Sequence, residues 1–559
     1  MRVSHSFPAI SAVFDDPNLV SCAGLVPTLA LAQRAGLADL VAHTLTLKTI
    51  GSANAHLKVP ALVAGMVAGA DSIDDMDVLR HGGMDRLFTG VRAPSTLGTF
   101  LRTFTFGHVR QLDAVASRFL TVLAKNAPIL PGVDQGCYVD IDDTIRATHG
   151  YAKAGAGYGY TGVKGLNALL AIVSTPLSAP VVAATRLRRG GTNSARGAAR
   201  SVADALVTTK ACGGSGLVTV RADSAYYGHD VVAAARRGGA RFSITARMNP
   251  TVVKAISGIA ESAWTPIHYP NAIWDEDEQR LVSDAEVAEV PFTAFTSRRQ
   301  ADHISARLIV RRVRRLNPKT VSDGQGELFP GYRHHGVFTD SPLTMLQAEK
   351  SHRGHAIVEQ VIADLKAGAL AHLPSASFSA NGAWLVLAAM AFNLTRAAGA
   401  IASVFHAKAT TATIRRQLIA IPGRLANSAR RMVIHLPKDW PWQDSWEGSS
   451  TRPAGHQPQQ RPDHPARTGA TKDPSGKAGQ TGDYLTPPRR TPNQNRTHPP
   501  ANTSSVDRGS VVSTNACVER GIHQQQGISR VVSTSESTQN GTDPPSLLRA
   551  RPSAGRRCH

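Results

Sequence analysis

The stretch Gln135-Gly-Cys-Tyr-Val-Asp-Ile-Asp-Asp-Thr144 decides how the chain is organised. Successive side chains of a β-strand point to opposite faces. Asp140 and Asp142 would therefore share one face, and Val139 and Ile141 the other. Two carboxylates on one face repel each other unless a cation or a proton lies between them, and strands disfavour aspartate. The stretch therefore predicts a metal site at the end of a strand.

The residues after this stretch predict an α/β domain. Strands are predicted at 166–173, 179–186, 216–223 and 240–246, and helices at 194–208 and 231–237. The third of these strands again ends in an acid, Asp223, and a basic loop is predicted at 186–193. Three strands followed by helix, strand, helix and strand is an order typical of α/β proteins.

Composition divides the chain into five segments. These are a helical N-terminal domain at 1–130, the first part of the core at 131–249, a β-rich insertion at 250–345, a second and helical part of the core at 346–445, and a basic tail at 446–559. Short helices joined by Gly and Pro turns suit a helix-turn-helix-like DNA-binding module, with an ordinary helical bundle as the alternative. The tail is poor in apolar residues, so we expect it to be disordered. Read-through into sequence never selected as protein is the alternative.

Charge points to a polyanionic partner. The 559 residues carry a formal net charge of +21, which favours nucleic acid, with an anionic membrane surface as the rival. The longest uninterrupted apolar run, Ala383–Phe392, is shorter than the roughly 20 residues that span a bilayer, and no signal peptide is visible. We therefore expect a soluble cytoplasmic protein.

A third acidic residue, Glu359, belongs to a long amphipathic helix predicted at about 351–370. Ile357, Val361 and Leu365 form its apolar stripe, and at about 100° per residue Glu359 lies at the edge of that stripe, in line with His355 and Lys366. Carboxylates without Cys or His partners favour Mg²⁺ or Mn²⁺ over zinc. Two such ions can activate a water or a 3′-hydroxyl and stabilise the leaving oxygen in phosphodiester displacement.

Four motifs together resemble a known family. They are Asp140-Ile-Asp-Asp-Thr144, Tyr160-Thr-Gly-Val-Lys-Gly165, Ala222-Asp-Ser-Ala-Tyr-Tyr-Gly228 and His352-Arg-Gly-His-Ala-Ile-Val-Glu-Gln-Val-Ile-Ala-Asp-Leu-Lys366. Over roughly residues 10–440 the chain resembles a DDE transposase of a bacterial insertion sequence. It is similar to the cut-and-paste branch. The resemblance implies a ribonuclease-H-like mixed sheet flanked by helices, with a β-rich insertion before the glutamate, a helical N-terminal domain and a disordered C-terminal tail.

The resemblance also implies roles for the acidic residues. Asp142, Asp223 and Glu359 would be the catalytic residues and the ligands of two Mg²⁺ or Mn²⁺ ions, with Asp140 as second choice for the first position. The enzyme would cleave DNA at the ends of its mobile element and transfer the strands to target DNA. Its partners would be double-stranded DNA, in the form of terminal inverted repeats and target, and a second copy in a synaptic homodimer. It would be associated with the nucleoid and not with a membrane.

Eight residues are expected to contact DNA. The contact set is Lys366, His355, Lys164, Arg186, Arg188, Arg311, Arg312 and Trp264. Trp264 would stack on a displaced base, with core packing as the alternative, and Arg311 and Arg312 could instead form a solvated strand edge. Asp143 is expected to be a solvated neighbour of Asp142, and Asp364 a surface charge. His352 and His355 stand where the family often has Tyr and Arg, which leaves open an inactive relic that only binds DNA. A general RNA- or DNA-binding protein is a more distant alternative.

Overall fold

A computed structural model gives the architecture. It describes residues 12–48, 51, 53–149, 153–267, 274–275, 280–281, 285–314, 332–428 and 431–450. The expected disordered tail lies outside the described residues from position 451 onward.

The N-terminal part is helical, as expected. Its elements are β1 (Leu19–Val20), α1 (Leu25–Arg34), α2 (Leu37–Thr44), α3 (Ala55–Ala68), α4 (Met84–Leu87), α5 (Pro94–Arg102) and α6 (Phe106–Asn126). Thr105 and His108 form a capping box that begins α6, because each side chain satisfies a backbone N–H that the helix leaves free. The apolar faces of these helices share one hydrophobic core with the sheet and with the long helix near the C-terminus.

The middle of the chain alternates strands and helices. Its elements are β2 (Gly136–Ala147), β3 (Gly157–Tyr158), β4 (Lys164–Ser174), β5 (Val181–Arg189), α7 (Ala198–Ala211), β6 (Leu217–Ala222), α8 (His229–Arg237), β7 (Arg241–Thr245) and α9 (Pro250–Ser257). The predicted basic loop at 186–193 is wrong in its first half, because β5 continues to Arg189 and pairs there with Leu166 of β4.

The core sheet has the strand order β5-β4-β2-β6-β7. β4 runs antiparallel to β2, whereas β6 is parallel to both β2 and β7. Ala222, the last residue of β6, lies opposite Ile141 in the middle of β2. β2 continues to Ala147, which lies opposite Gly165 at the start of β4. This mixed sheet with flanking helices is consistent with the expected ribonuclease-H-like core.

The residues after α9 extend this sheet. Their elements are β8 (Thr265–Ile267), β9 (Trp274–Asp275), β10 (Arg280–Leu281), β11 (Ala285–Ala294), β12 (Ile304–Arg314) and β13 (Tyr332–Thr339). β13 pairs antiparallel with β7, with Phe338 opposite Ile244, and β12, β11 and β8 follow in order, which gives a ten-stranded sheet. The ring of Phe338 packs 5.1 Å from that of Phe242 on β7 and 5.9 Å from that of Phe292 on β11. Backbone pairing and aromatic packing both join these strands to the core.

The C-terminal part carries the remaining helices and a hairpin. Its elements are α10 (Met345–Arg353), α11 (Ile357–Lys366), α12 (Phe378–Ala402), α13 (Val404–Lys408), α14 (Thr411–Ile414), β14 (Gly423–Ser428), β15 (Arg431–His435) and α15 (Gln443–Ser450). The single helix expected at 351–370 is instead two helices, separated by a 3₁₀ turn at Gly354–Ala356. β14 and β15 form a sheet with β1, which the purely helical expectation for 346–445 missed.

Helix α12 is the central helix of the core. In the described part of the chain it is the one unbroken helix long and apolar enough to cross a membrane. Helices α1 and α2 reach that length and apolar character only when they are counted together, and they are bent by 48° where they join. Of the apolar 18-residue stretch of α12 that meets this criterion, 89% is buried inside the protein. Its Asn393 amide binds both the N–H and the C=O of Val182 at 2.8 Å, which satisfies backbone groups of β5 where that strand has no further neighbour.

Candidate active site

Neighbouring strands bring Asp142 and Asp223 together. Ile141 of β2 lies opposite Ala222 of β6 in parallel register, so the next residue along each chain is an aspartate. Asp223 is exposed, and its carboxylate accepts a hydrogen bond from the Ala225 amide at 2.9 Å. Burial, and then the nearby charge of Asp223, raise the pKa of Asp142 to about 6. The two carboxylates repel each other, and this is the imbalance that a cation would relieve.

Glu359 stands apart from this pair. It lies in the first turn of α11 and is exposed, while Val358, Val361 and Leu365 bury the opposite side of the helix. Within the described ranges, no group of three His, Cys, Asp or Glu side chains is close enough to hold a metal ion. The structure thus gathers two of the three expected ligands. Their hard oxygen atoms suit Mg²⁺ or Mn²⁺.

Asp140, the second choice for the first ligand, is an internal ion-pair partner instead. It is fully buried, and its two oxygens each accept a hydrogen bond from Arg221 at 2.7 Å. His355 Nδ1 lies 3.0 Å from Asp140 Oδ1. A carboxylate that is enclosed and bound by a guanidinium fork is already neutralised, so the structure corrects the choice of Asp140 as a metal ligand. The charge left uncompensated on this strand face belongs to Asp142.

The same ion pair holds the segment that carries Glu359. Arg221 also donates to the Ser351 carbonyl at the end of α10, and its guanidinium lies 3.9 Å from the Tyr138 ring centre. His352 is buried between the hydroxyls of Ser243 and Thr245, at 3.0 and 2.9 Å, and burial lowers the pKa of His352 to about 3. A neutral imidazole fits this environment. The two histidines at the Tyr and Arg positions thus fasten α10 and α11 to the sheet.

Asp143 is buried, and the expectation that it is solvated was wrong. Its carboxylate accepts hydrogen bonds from Arg188, from Asn167 and, at 3.1 Å, from the Tyr226 hydroxyl. All three guanidinium nitrogens of Arg188 donate to the protein, including Nη1 to the Ser194 and Arg196 carbonyls at 2.8 Å each. Arg188 is therefore part of the core, and we remove it from the DNA-contact set.

Arg312 and Trp264 are also engaged within the protein. Arg312 is buried, pairs with Glu261 and, at 2.6 Å, with Glu286, and lies between two rings. Its guanidinium is 4.3 Å from the Trp264 ring centre and 4.5 Å from that of Tyr332. The guanidinium covers one face of the Trp264 ring, and Trp264 packs against the hydrophobic core, so the packing alternative describes Trp264 better than base stacking.

The remaining expected contacts differ in how available they are. Arg186 is half-buried and lies 3.4 Å from Asp204, and Arg311 lies 3.8 Å from Glu349. Lys164 is half-buried at the first position of β4. These three residues remain expected DNA contacts, although ion pairs already hold the two arginines.

Lys366 lies near Asp142 and Arg146. Burial, and then the charge of Arg146, lower the pKa of Lys366, whereas the charge of Asp142 raises it. The lysine therefore lies near both residues. Arg146 is four residues beyond Asp142 on the same strand face, and its buried Nε has no hydrogen-bond partner among the described residues. Sequence reasoning missed Arg146, although the period of two along β2 places it on the face of Asp142.

The structure also corrects the expectation that Asp364 is a surface charge. Its carboxylate accepts hydrogen bonds from the Thr411 amide at 2.8 Å and from the Thr411 hydroxyl at 2.6 Å. It therefore links α11 to α14 and is not a free surface charge.

Comparison with known proteins adds one match. The family model described as "Transposase DDE domain group 1" matches residues 4–452. None of the curated proteins matches the chain.

Proposed function

Because the chain belongs to the transposase DDE domain group 1 family, we propose that it cleaves DNA at the ends of its mobile element and joins those ends to target DNA. The observation that supports this most is the pair Asp142 and Asp223 on adjacent parallel strands, where Asp223 follows the last residue of β6 and Asp142 lies within β2 directly after the residue opposite that end. One carboxylate at a strand end is an ordinary turn residue. Two adjacent carboxylates, one of which has its pKa raised by burial and then by the charge of the other, are typical of a cation site for phosphoryl chemistry.

In this proposal the acidic side chains bind a cation and the basic side chains bind a phosphate of the DNA. Asp142 and Asp223 would hold a divalent cation, which when bound stabilises charge on the oxygens of the reacting phosphodiester. Lys366, with Arg146 beside it, would hold a phosphate of the DNA near the two aspartates. Glu359 would be the third acidic residue of the site. Inverted-repeat ends, a synaptic homodimer and a second metal ion belong to this proposal.

The test is cleavage of the element's own ends. The substrate duplex would be taken from inverted repeats identified in the DNA that flanks this reading frame. We expect the purified protein to nick that duplex in Mg²⁺ or Mn²⁺, to stop when a chelator is added, and to leave a scrambled duplex of equal length intact. A protein that neither binds nor nicks the repeat duplex would contradict the proposal.

A second candidate is a DNA-binding relic without catalytic activity. The position of Glu359 outside the aspartate pair favours it, since no three-ligand group exists within the described residues. Specific binding of the repeat ends without cleavage in either metal would identify the relic, whereas nicking in Mn²⁺ alone would indicate a weakened enzyme.

A metal-dependent change in stability should accompany the proposed site. The pKa of Asp142 rises from 3.8 to about 6 on folding, so the folded chain holds this proton more tightly than the unfolded chain. Without divalent metal, this group therefore makes the fold less stable as pH rises from about 4 to about 6, and the loss persists above that range. We expect Asp142→Asn to raise the metal-free stability at pH 8 by about 1 kcal/mol, after allowance for partial exposure.

Thermal melting at pH 5 and pH 8, with and without Mg²⁺, measures this effect. Wild-type protein should gain stability from Mg²⁺ at pH 8, and Asp142→Asn should gain much less. An equal gain in both proteins would place the cation elsewhere.

A further inference from the structure

The turn that places Asp223 is held on one side by residues of the core. Asp223 follows β6, and its carboxylate accepts a hydrogen bond from the Ala225 amide at 2.9 Å. Arg247, just after β7, donates to the Ser224 carbonyl at 2.8 Å and to the Ala225 carbonyl at 3.0 Å. The Tyr226 side chain is fully buried. Because the carboxylate is bound by an amide of its own turn, any movement of the turn moves the carboxylate.

The tip of the β11–β12 hairpin packs against the residues that follow this turn. The Phe295 ring centre lies 5.4 Å from that of Tyr227 and 5.9 Å from that of His229, the first residue of α8. The Tyr227 ring also lies 6.1 Å from the Phe338 ring of β13. Tyr227 comes four residues after Asp223, so aromatic side chains from beyond α9 hold the other end of the turn.

Polar side chains also join these two parts of the chain, at the surface. Arg298 of the hairpin lies 3.3 Å from Asp230 of α8, with side chains that are 45% and 71% exposed. His229 Nε2 lies 3.7 Å from Asp302, which is also in the hairpin. Exposed pairs contribute little to stability, whereas packed aromatic pairs contribute beyond the apolar area that they bury. The Phe295 ring therefore accounts for more of this contact than the charges do, and Asp230→Asn should leave the contact in place.

The backbone of Phe295 adopts a conformation that its side chain disfavours. Its φ is 64°, in the left-handed region, where a bulky residue is rare and strained. The two other described non-glycine residues in this region are Asn54 and Asp439, which are the residue types that tolerate it. Glycine would adopt the same turn without strain. Such strain persists where surrounding contacts fix it, often at functional sites, and here the contacts that fix it are those of the ring.

We propose that Phe295 is a positioning residue for Asp223. Its ring fixes the turn from the hairpin side, and the turn sets where the Asp223 carboxylate lies relative to Asp142. The inference rests on the proposed function, because the position of Asp223 matters only if this carboxylate holds the cation with Asp142. The segment 250–345 would then act on the cation site through packing, without itself supplying a ligand.

Manganese binding measures this effect without cleavage. In protein without DNA, free Mn²⁺ is counted from its electron paramagnetic resonance signal, and the bound fraction gives the Kd. Phe295→Ala should weaken Mn²⁺ binding about tenfold, the lower end of the loss expected when a residue that orients a metal ligand is removed. The Mn²⁺ concentration that gives half-maximal nicking of the end duplex should rise by a similar factor, and the rate at saturating Mn²⁺ should fall less.

Two further variants separate the ring from the backbone strain. Phe295→Gly removes the ring and also relieves the left-handed backbone, whereas Phe295→Ala keeps that strain. Phe295→Gly should therefore melt at a higher temperature than Phe295→Ala, and both should lose the same Mn²⁺ affinity. Phe295→Tyr keeps the ring face and should bind Mn²⁺ like wild type.

Phe292 supplies a matched control from the same hairpin. It is half-buried on β11, and its ring also packs against that of Phe338, at 5.9 Å. Phe292→Ala should lower the melting temperature through lost packing but leave the Kd for Mn²⁺ unchanged.

Three results would overturn the inference. Equal Mn²⁺ affinity in wild type and Phe295→Ala, together with weaker binding by Asp223→Asn, would remove the positioning role and leave the proposed function standing. A loss of affinity in Phe292→Ala as large as that in Phe295→Ala would assign the effect to a general loss of packing. Wild-type protein that binds Mn²⁺ no better than Asp223→Asn would contradict the cation site of the proposed function, and the inference with it.

Discussion

Asp223→Asn is expected to slow Mg²⁺-dependent nicking of end DNA about a thousandfold or more and to leave binding of that DNA intact. The loss corresponds to roughly 4 kcal/mol of barrier, the scale on which a bound cation stabilises a phosphodiester transition state. Asparagine keeps an oxygen that can accept the hydrogen bond from the Ala225 amide. The local turn should therefore survive, and the change removes charge alone.

Asp230→Asn is the matched control for this experiment. Asp230 is also exposed and lies seven residues further along the chain, and its ion-pair partners in the described part of the chain are His229 and Arg298. Nicking rates and gel-shift affinities of both variants should be measured at one salt concentration, because DNA affinity depends steeply on salt. Nicking by Asp223→Asn at the rate of Asp230→Asn would remove Asp223 from the catalytic centre.

Arg221→Met is expected to cost about 3–5 kcal/mol of folding free energy, because it leaves Asp140 charged and buried without a partner. The Asp140→Leu, Arg221→Met double variant should recover most of that loss, since two apolar side chains can replace a buried pair. Both variants remove the bond from Arg221 to the Ser351 carbonyl. Recovered stability without recovered nicking would show that the pair also positions α11.

Arg200→Met supplies the comparison for denaturant unfolding. Arg200 is 72% exposed and pairs with Asp204 one helical turn away, and surface pairs of this kind contribute less than about 1 kcal/mol. A loss in Arg221→Met no larger than that in Arg200→Met would contradict the account of the Asp140 pair as the clamp between the sheet and α10.

Local patterns predicted the core strands and the position of the aspartates. The alternation along β2 and the acid after β6 are visible in the sequence, because each depends on residues close together in the chain. The family resemblance added the order of the three acids, and the match of the family model to residues 4–452 supports the transposase part of that expectation.

Pairing between distant residues was harder to predict. Asp140 and Arg221 are partners across adjacent strands. No local sequence pattern predicts that an arginine in one strand forms an ion pair with an aspartate 81 residues earlier (221 − 140). Arg188 and Arg312 looked like surface charge for the same reason, since their acidic partners Asp143 and Glu261 lie 45 and 51 residues away. A charged residue in an apolar strand can form a buried ion pair as readily as it can contact DNA.

The pairing of β13 with β7 has a consequence for engineering this protein. Thr245, Ile244 and Ser243 of β7 lie opposite Val337, Phe338 and Thr339 of β13, the last strand of the segment 250–345. A shortened chain without β8–β13 would leave β7 as an unpaired edge strand of the sheet. Phe242 would also lose its packing against Phe338. Such an edge recruits strands from other molecules. A minimal protein made by excision would therefore tend to aggregate, whereas a replacement segment that retains a β13 equivalent would not.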